Sequence, residues 1–309
     1  MKNLLSIRDL SKDKAIELLS SSNEMSAVNR RAIKTLPTLR GKTVVNLFYE
    51  NSTRTRISFE IAAKRLGADV INVSSEVSSA SKGEGLKDTA QTLEALGADA
   101  IVLRHPMSGA AHAMATRGWI SSSVINAGDG RHEHPTQALL DALTINRHFD
   151  AGCDFTGLKV LIVGDLLHSR VARSNFLLLN LLGATVIATG PKELMPTGFS
   201  EMGVTLYEGL DQALEQKPDA IMMLRVQKER MQADVAFSAS NYQRSWSLTE
   251  ERLGQLKPAS VIMHPGPMNR GLEISNGAAE DSRSQVLEQV QNGLAVRMAV
   301  LHHLLGGQS

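Results

Sequence analysis

The sequence predicts an α/β protein of two domains, each a parallel open sheet flanked by helices and joined by long crossing helices. Three observations carry that prediction. Short apolar runs alternate with helical patterns, as βαβ units require. The 309 residues make about two domains of ~150 residues each. No repeat of 20–50 residues replaces the alternation with a solenoid. Strands are expected at 43–48, 70–73, 100–103 and 124–126, then at 159–163, 185–188, 220–224 and 261–263. Helices fill the gaps at 53–66, 86–96, 135–149 and 170–182. These eight strands fit either one closed barrel or two open sheets of about four. The long helix 135–149, followed by the turn-rich 150–157, favours two sheets with a crossing between them. The expected domains are 1–133, with a C-terminal helix at 285–309 packing back on it, and 134–284.

Composition narrows the function classes. Lys+Arg 33 against Asp+Glu 32 leaves a net charge of +1, without the basic excess that nucleic acid or an anionic membrane would attract. The single cysteine, Cys153, excludes an internal disulfide and a cysteine zinc cluster, and a reducing cytoplasm is expected. Charges at Lys2, Arg8 and Asp9 break the first apolar run too early for a secretory signal. Residues 174–191 carry no charge, and ~18 such residues can span a bilayer. Asn175, Asn180 and Gly183 interrupt them, and the pattern changes from helix to strand at the glycine, so a soluble αβ unit is expected. The serine-rich 74–85 is expected to form a loop.

In open parallel sheets, ligands bind beyond the carboxyl ends of the strands, so chemistry is sought there. The first strand is followed by Glu50-Asn51-Ser52-Thr53-Arg54-Thr55-Arg56. Ser52 suits a helix N-cap, which puts 53–56 in the first turn. Two arginines there oppose the helix dipole, at about 0.3–1 kcal/mol each. A bound anion removes that cost, because backbone N–H groups, hydroxyls and guanidinium groups then converge on it. Pairing of both arginines with Glu50 and Glu60 is the alternative; the density of donors favours a phosphate. His134-Pro135-Thr136-Gln137 opens another helix, with Pro135 at its first position. His134 can donate to a carbonyl oxygen and Gln137 can accept from an amide. A metal pair of His132 with His134 is the alternative, and no further ligand cluster supports it.

Arginines stand at three other strand exits: Arg104, Arg170 and Arg225. Any one of them could be a solvated charge. Together they suggest recognition of carboxylate and phosphate by planar forks. His264-Pro265-Gly266-Pro267 makes a rigid loop presenting backbone carbonyls. The exit Val163-Gly164-Asp165-Leu166-Leu167-His168 lacks the second and third glycines of a dinucleotide fingerprint. Neither a G-x-x-x-x-G-K-[ST] loop nor a G-x-S-x-G elbow occurs. No cofactor and no metal are expected.

Ser52-Thr53-Arg54-Thr55-Arg56, His134-Pro135-Thr136-Gln137 and Arg225-Val226-Gln227-Lys228-Glu229-Arg230 resemble the motifs of the aspartate and ornithine carbamoyltransferases. The likeness runs over nearly the whole chain. The third motif, with His264-Pro265-Gly266-Pro267, looks like the aspartate branch, which makes N-carbamoyl-L-aspartate for pyrimidine synthesis. The resemblance implies that Ser52, Thr53, Arg54 and Thr55 hold the phosphate of carbamoyl phosphate. It implies that Arg104, His134 and Thr55 polarise the carbamoyl oxygen while Gln137 binds the NH2. Arg170, Arg225 and Gln227, with the backbone at Gly266 and Pro267, would bind L-aspartate. Ser78 and Lys82 would reach into a neighbouring subunit's site, and Glu50 would pair with Arg170 and Arg230 on domain closure. The family forms homotrimers, and some members add regulatory chains or dihydroorotase. This sequence departs from the family's common pattern in carrying Gly266 in place of a bulkier residue and Ser81 in place of a lysine.

Overall fold

The computed structural model describes residues 1–74, 84–226 and 238–306. The chain divides into two compact units, Met1–Leu140 with Gln291–Ser309, and Asp141–Val290. Both divisions fall inside helices, somewhat beyond the sequence-based boundaries. An amphipathic helix leaves no mark in the sequence where its packing partner changes.

The first unit carries β1 (Thr43–Phe48), β2 (Asp69–Ser74), β3 (Ala100–His105) and β4 (Ser123–Asp129), all parallel, in the order β2-β1-β3-β4. Its helices are α1 (Lys12–Asn29), α2 (Thr53–Arg65), α3 (Leu86–Ala95), α4 (Ala110–Thr116) and the start of α5 (Pro135–Phe149). Central strands are buried on both faces: Val45, Leu47, Ile101, Leu103 and Val124 share one apolar cluster with Met114 of α4. The N-terminal segment lies along β4. Leu4 bridges Ile125, Asn3 Oδ1 accepts from the Val124 N–H at 2.8 Å, and Asn126 Nδ2 donates to the Leu5 carbonyl at 2.9 Å.

Helix α1 is absent from the sequence-based expectation for a physical reason. Its inner face runs through Ala15, Leu18, Leu19, Ser22, Met25 and Ser26, so two serines break the apolar periodicity. The Ser22 hydroxyl donates to the Leu18 carbonyl at 2.6 Å, which makes its burial tolerable.

The second unit carries β5 (Lys159–Val163), β6 (Thr185–Thr189), β7 (Val204–Tyr207), β8 (Ala220–Met223) and β9 (Val261–Met263), again parallel, in the order β7-β6-β5-β8-β9. Its helices are α6 (Arg170–Leu181), α7 (Leu210–Leu214), α8 (Ala239–Trp246), α9 (Glu250–Leu253) and α10 (Asn276–Glu280). Helix α11 (Val286–Leu305) begins here and ends in the first unit, where Arg297 Nη1 donates to Ser58 Oγ at 2.9 Å. The second sheet therefore has five strands rather than about four. The missed strand, β7, lies at the sheet edge with one buried residue, so it offers no apolar run to read. The charge-free 174–191 is the buried end of α6 followed by β6, with Phe176, Leu178 and Leu179 inside. Among the described residues, no helix is long and apolar enough to cross a membrane.

Each sheet has one point where the strand order reverses direction. In the first it lies between β1 and β3, in the second between β5 and β8. Crevices form at such points beyond the carboxyl ends of the strands.

Candidate active site

In the first unit, the β1 exit leads through Glu50 and Ser52 into α2, whose first turn is residues 53–56 as expected. Ser52 occupies the N-cap position, but its side chain makes no capping hydrogen bond. Apart from the Arg56 N–H, which donates to the Ser52 carbonyl at 3.0 Å, the first-turn N–H groups keep their donor capacity at the end of the helix that favours negative charge. Thr55 points inward and is buried, while Thr53 and Arg54 are exposed. The alternative in which both arginines pair with surface carboxylates does not hold for Arg54, which makes no ion pair among the described residues. Glu60 is instead held below the ordinary carboxylate range by Lys64 at 2.6 Å, then by Asn72, with a smaller contribution from Arg56. Glu50 lies 3.5 Å from Arg104 Nε.

Arg104 is paired in register with Phe48, the last residue of β1, and so lies next to last in β3, before His105, directly beside the β1 exit. Its Nη1 donates to the Ala127 carbonyl at 3.2 Å, which ties the guanidinium to the neighbouring β4. The β4 exit is braced around one carboxylate. Asp129, 1% exposed, accepts from Asn126 Nδ2 at 2.9 Å, from the Gly109 N–H at 2.6 Å and from the Glu133 N–H at 3.2 Å, with His132 Nδ1 at 3.1 Å. Burial alone would raise its pKa; the bonds from His132 and Asn126 outweigh that and hold it below the usual value. His134 and Gln137 follow at the start of α5, both buried, and the His134 carbonyl accepts from the Gln137 N–H at 2.9 Å. The sequence-predicted Glu50, Ser52, Thr53, Arg54, Thr55, Arg104, His134 and Gln137 therefore sit at the exits of three adjacent strands. His132 bonds to Asp129, and among the described residues no group of three or more acidic, histidine or cysteine side chains could hold a metal ion.

Sequence reasoning missed Glu133. Its carboxylate, 1% exposed, accepts from the Ser6 hydroxyl and from the Ile7 N–H at 2.8 Å, clamping the N-terminal segment to the residue before His134. Glu133→Ala leaves both donors without that acceptor, a loss of about 1–3 kcal/mol. Calorimetry of the variant should show a lower Tm, and an unchanged Tm would remove the clamp from the account.

In the second unit, Arg170 opens α6 after the β5 exit and is buried, with Ser169 capping the helix by accepting from the Ala172 N–H at 3.0 Å. Arg225 follows β8, the neighbour of β5. Gly266 and Pro267 follow β9, joined by a cis peptide bond, with Gly266 at φ +69°. That left-handed backbone favours the glycine found here over a bulkier residue. Arg170 and Arg225 thus flank the second switch point, and the Gly266–Pro267 loop lies one strand further. Gln227 and Arg230, like Ser78, Ser81 and Lys82, lie outside the described residues.

Comparison with known proteins gives the family. Residues 2–147 match the model of the aspartate/ornithine carbamoyltransferase carbamoyl-P binding domain, and residues 156–304 match that of the Asp/Orn binding domain. An aspartate carbamoyltransferase catalytic subunit from Clavibacter michiganensis is 58% identical over 312 residues, covering 99% of this chain and 98% of the relative. Among solved structures, aspartate transcarbamoylase from Trypanosoma cruzi in complex with carbamoyl phosphate and aspartate superposes with a TM-score of 0.87 at 31% identity, covering 98% of this chain and 97% of that one. Ornithine carbamoyltransferase from Pyrococcus furiosus gives a TM-score of 0.89 at 26% identity, covering 100% and 98%. Backbone likeness extends to both branches, while sequence identity is higher to the aspartate branch.

Proposed function

This chain belongs to the aspartate/ornithine carbamoyltransferase family, and we propose that it transfers the carbamoyl group of carbamoyl phosphate to the amine of L-aspartate. The products are N-carbamoyl-L-aspartate and phosphate, and the step belongs to pyrimidine biosynthesis. One observation supports the division of labour: each sheet carries a pair of arginines flanking its switch point, Arg54 and Arg104 in one and Arg170 and Arg225 in the other. Two anionic substrates need two such guanidinium pairs.

In this reading the first turn of α2, with Ser52, Thr53, Arg54 and Thr55, holds the phosphate. Arg104, His134 and Thr55 donate to the carbamoyl oxygen, and Gln137 accepts from the carbamoyl NH2. Arg170, Arg225 and Gln227, with the backbone at Gly266 and Pro267, hold the aspartate carboxylates. The uncharged amine attacks the carbamoyl carbon, negative charge develops on its oxygen, and preorganised donors meet that charge without reorganising. Phosphate then leaves against the helix N-terminus as the C–O bond breaks, taking up the proton that the amine loses. Catalysis is positioning and charge stabilisation, without a covalent intermediate.

The working enzyme in this reading is a cytoplasmic homotrimer, with Ser78 and Lys82 completing a neighbour's site and Glu50, Arg170 and Arg230 acting in domain closure. Regulatory chains or dihydroorotase are its candidate further partners. A mimic that joins a phosphonate to aspartate tests the two-anion reading: it should compete with carbamoyl phosphate and bind more tightly than either substrate. Failure to compete would reduce the chain to an anion-binding homologue. Sedimentation of the purified chain should give a trimer, and a monomer would sink the shared-site assignment.

A further inference from the structure

Two buried carboxylate–histidine pairs stand in the second unit behind the residues assigned to substrate. Just after β5, the fully buried Asp165 accepts from the His168 N–H at 3.1 Å and lies 3.0 Å from that histidine's Nδ1. Just after β9, Glu273 Oε1 lies 3.2 Å from His264 Nε2, with both side chains at 0% exposure. The Gly266 N–H donates to His264 Nδ1 at 2.8 Å, which puts the ring proton on Nε2, facing the acid. The Asn269 N–H donates to Glu273 at 2.5 Å, so this carboxylate closes the turn that carries Gly266 and Pro267. The first pair holds the loop two residues before Arg170, and the second holds the Gly266–Pro267 loop.

Tyr242 of α8, 4% exposed, packs with Val226 and Leu272, the chain neighbours of Arg225 and Glu273. Its phenol oxygen presses on the β5 exit, where a Cβ built on Gly164 would come within 2.9 Å of it. Gly164 also holds a φ of +125°, so glycine is required there both by backbone and by the tyrosine above it. Burial, then the Glu273 carboxylate, then the Asp165 carboxylate push the phenol well above its ordinary pKa, so the hydroxyl stays protonated.

We propose that Tyr242 is a positioning residue for the second substrate: it holds the exits of β5, β8 and β9 at a fixed separation and so sets the spacing of Arg170, Arg225 and the Gly266–Pro267 backbone. Tyr242 touches no substrate in this scheme; it acts through its packing on Val226 and Leu272 and through its close approach to Gly164. Spacing matters because planar forks bind carboxylates only in narrow geometry, and a misplacement of about 1 Å can cost ~10²-fold. The inference rests on the assignment of Arg170, Arg225, Gly266 and Pro267 to the aspartate carboxylates.

Tyr242→Phe removes the oxygen and keeps the ring. The KM for aspartate should rise about tenfold, short of the ~10²-fold that a full misplacement of about 1 Å can cost. The kcat at saturating aspartate and the Kd for carbamoyl phosphate, whose residues lie in the other unit, should hold within about twofold of wild type, with Tm nearly unchanged. Arg225→Ala is measured in parallel. If Arg225→Ala raises the aspartate KM and Tyr242→Phe does not, the positioning role is overturned while the substrate assignment stands. If Arg225→Ala leaves the KM unmoved, the assignment fails and the inference falls with it. A Tyr242→Phe enzyme that melts early and loses both substrates together would make the tyrosine a stability residue only, and would also overturn the proposal.

Discussion

Arg54→Ala is expected to lower turnover by about 10²–10³-fold, the scale of removing one preorganised donor from developing charge, with the Tm unchanged or slightly raised. The combination of signs makes the test informative. Arg54 is exposed in the first turn of α2 and makes no ion pair among the described residues, so the folded state loses no partner when it is removed. Its charge at a helix N-terminus is unfavourable by about 0.3–1 kcal/mol, which the substitution relieves. A surface arginine has no effect on turnover, and a core residue would lower Tm. Only an anion-binding role predicts a collapse of activity in a protein at least as stable as wild type. Rate assays alongside calorimetry check it, and wild-type turnover in the folded variant would remove the phosphate from this helix.

His134→Ala should cost about 10²-fold in kcat through loss of one donor to the carbamoyl oxygen. Here the fold is affected too, since His134 is 4% exposed and its removal leaves a void at the start of α5. A modest fall in Tm is therefore expected, with far-UV circular dichroism unchanged. Loss of kcat larger than the change in carbamoyl-phosphate Kd separates the two effects, because a transition-state donor acts on the rate more than on ground-state binding. An equal loss in both constants would make His134 a binding residue instead. Pro135 keeps the helix start in either case.

The strand exits were legible in the sequence because the signals there are local. A short apolar run, then hydroxyls and arginines, then a helical pattern marks the β1 exit without any knowledge of tertiary contact. The same holds for His134-Pro135 at the start of α5 and for the arginines after β3, β5 and β8. What escaped depends on contacts distant along the chain or on polar residues in buried places. Ser6 and Glu133 meet across 127 residues, so neither sequence neighbourhood records their bond. Helix α1 hides its inner face behind Ser22 and Ser26, and edge strand β7 has too little apolar surface to stand out. The pairing of His264 with Glu273 needs the intervening turn to fold back on itself, and Tyr242 becomes meaningful only once β5, β8 and β9 are side by side.

The central claim is that the second substrate is L-aspartate. Its most direct test is ureido-product formation from carbamoyl phosphate by the purified chain, with L-aspartate and L-ornithine in parallel reactions. Product with aspartate and none with ornithine is the expected result. Product with ornithine alone would keep the phosphate site and overturn the carboxylate assignment of Arg170, Arg225 and Gln227, and no product with either amine from a folded, trimeric protein would contradict the function itself.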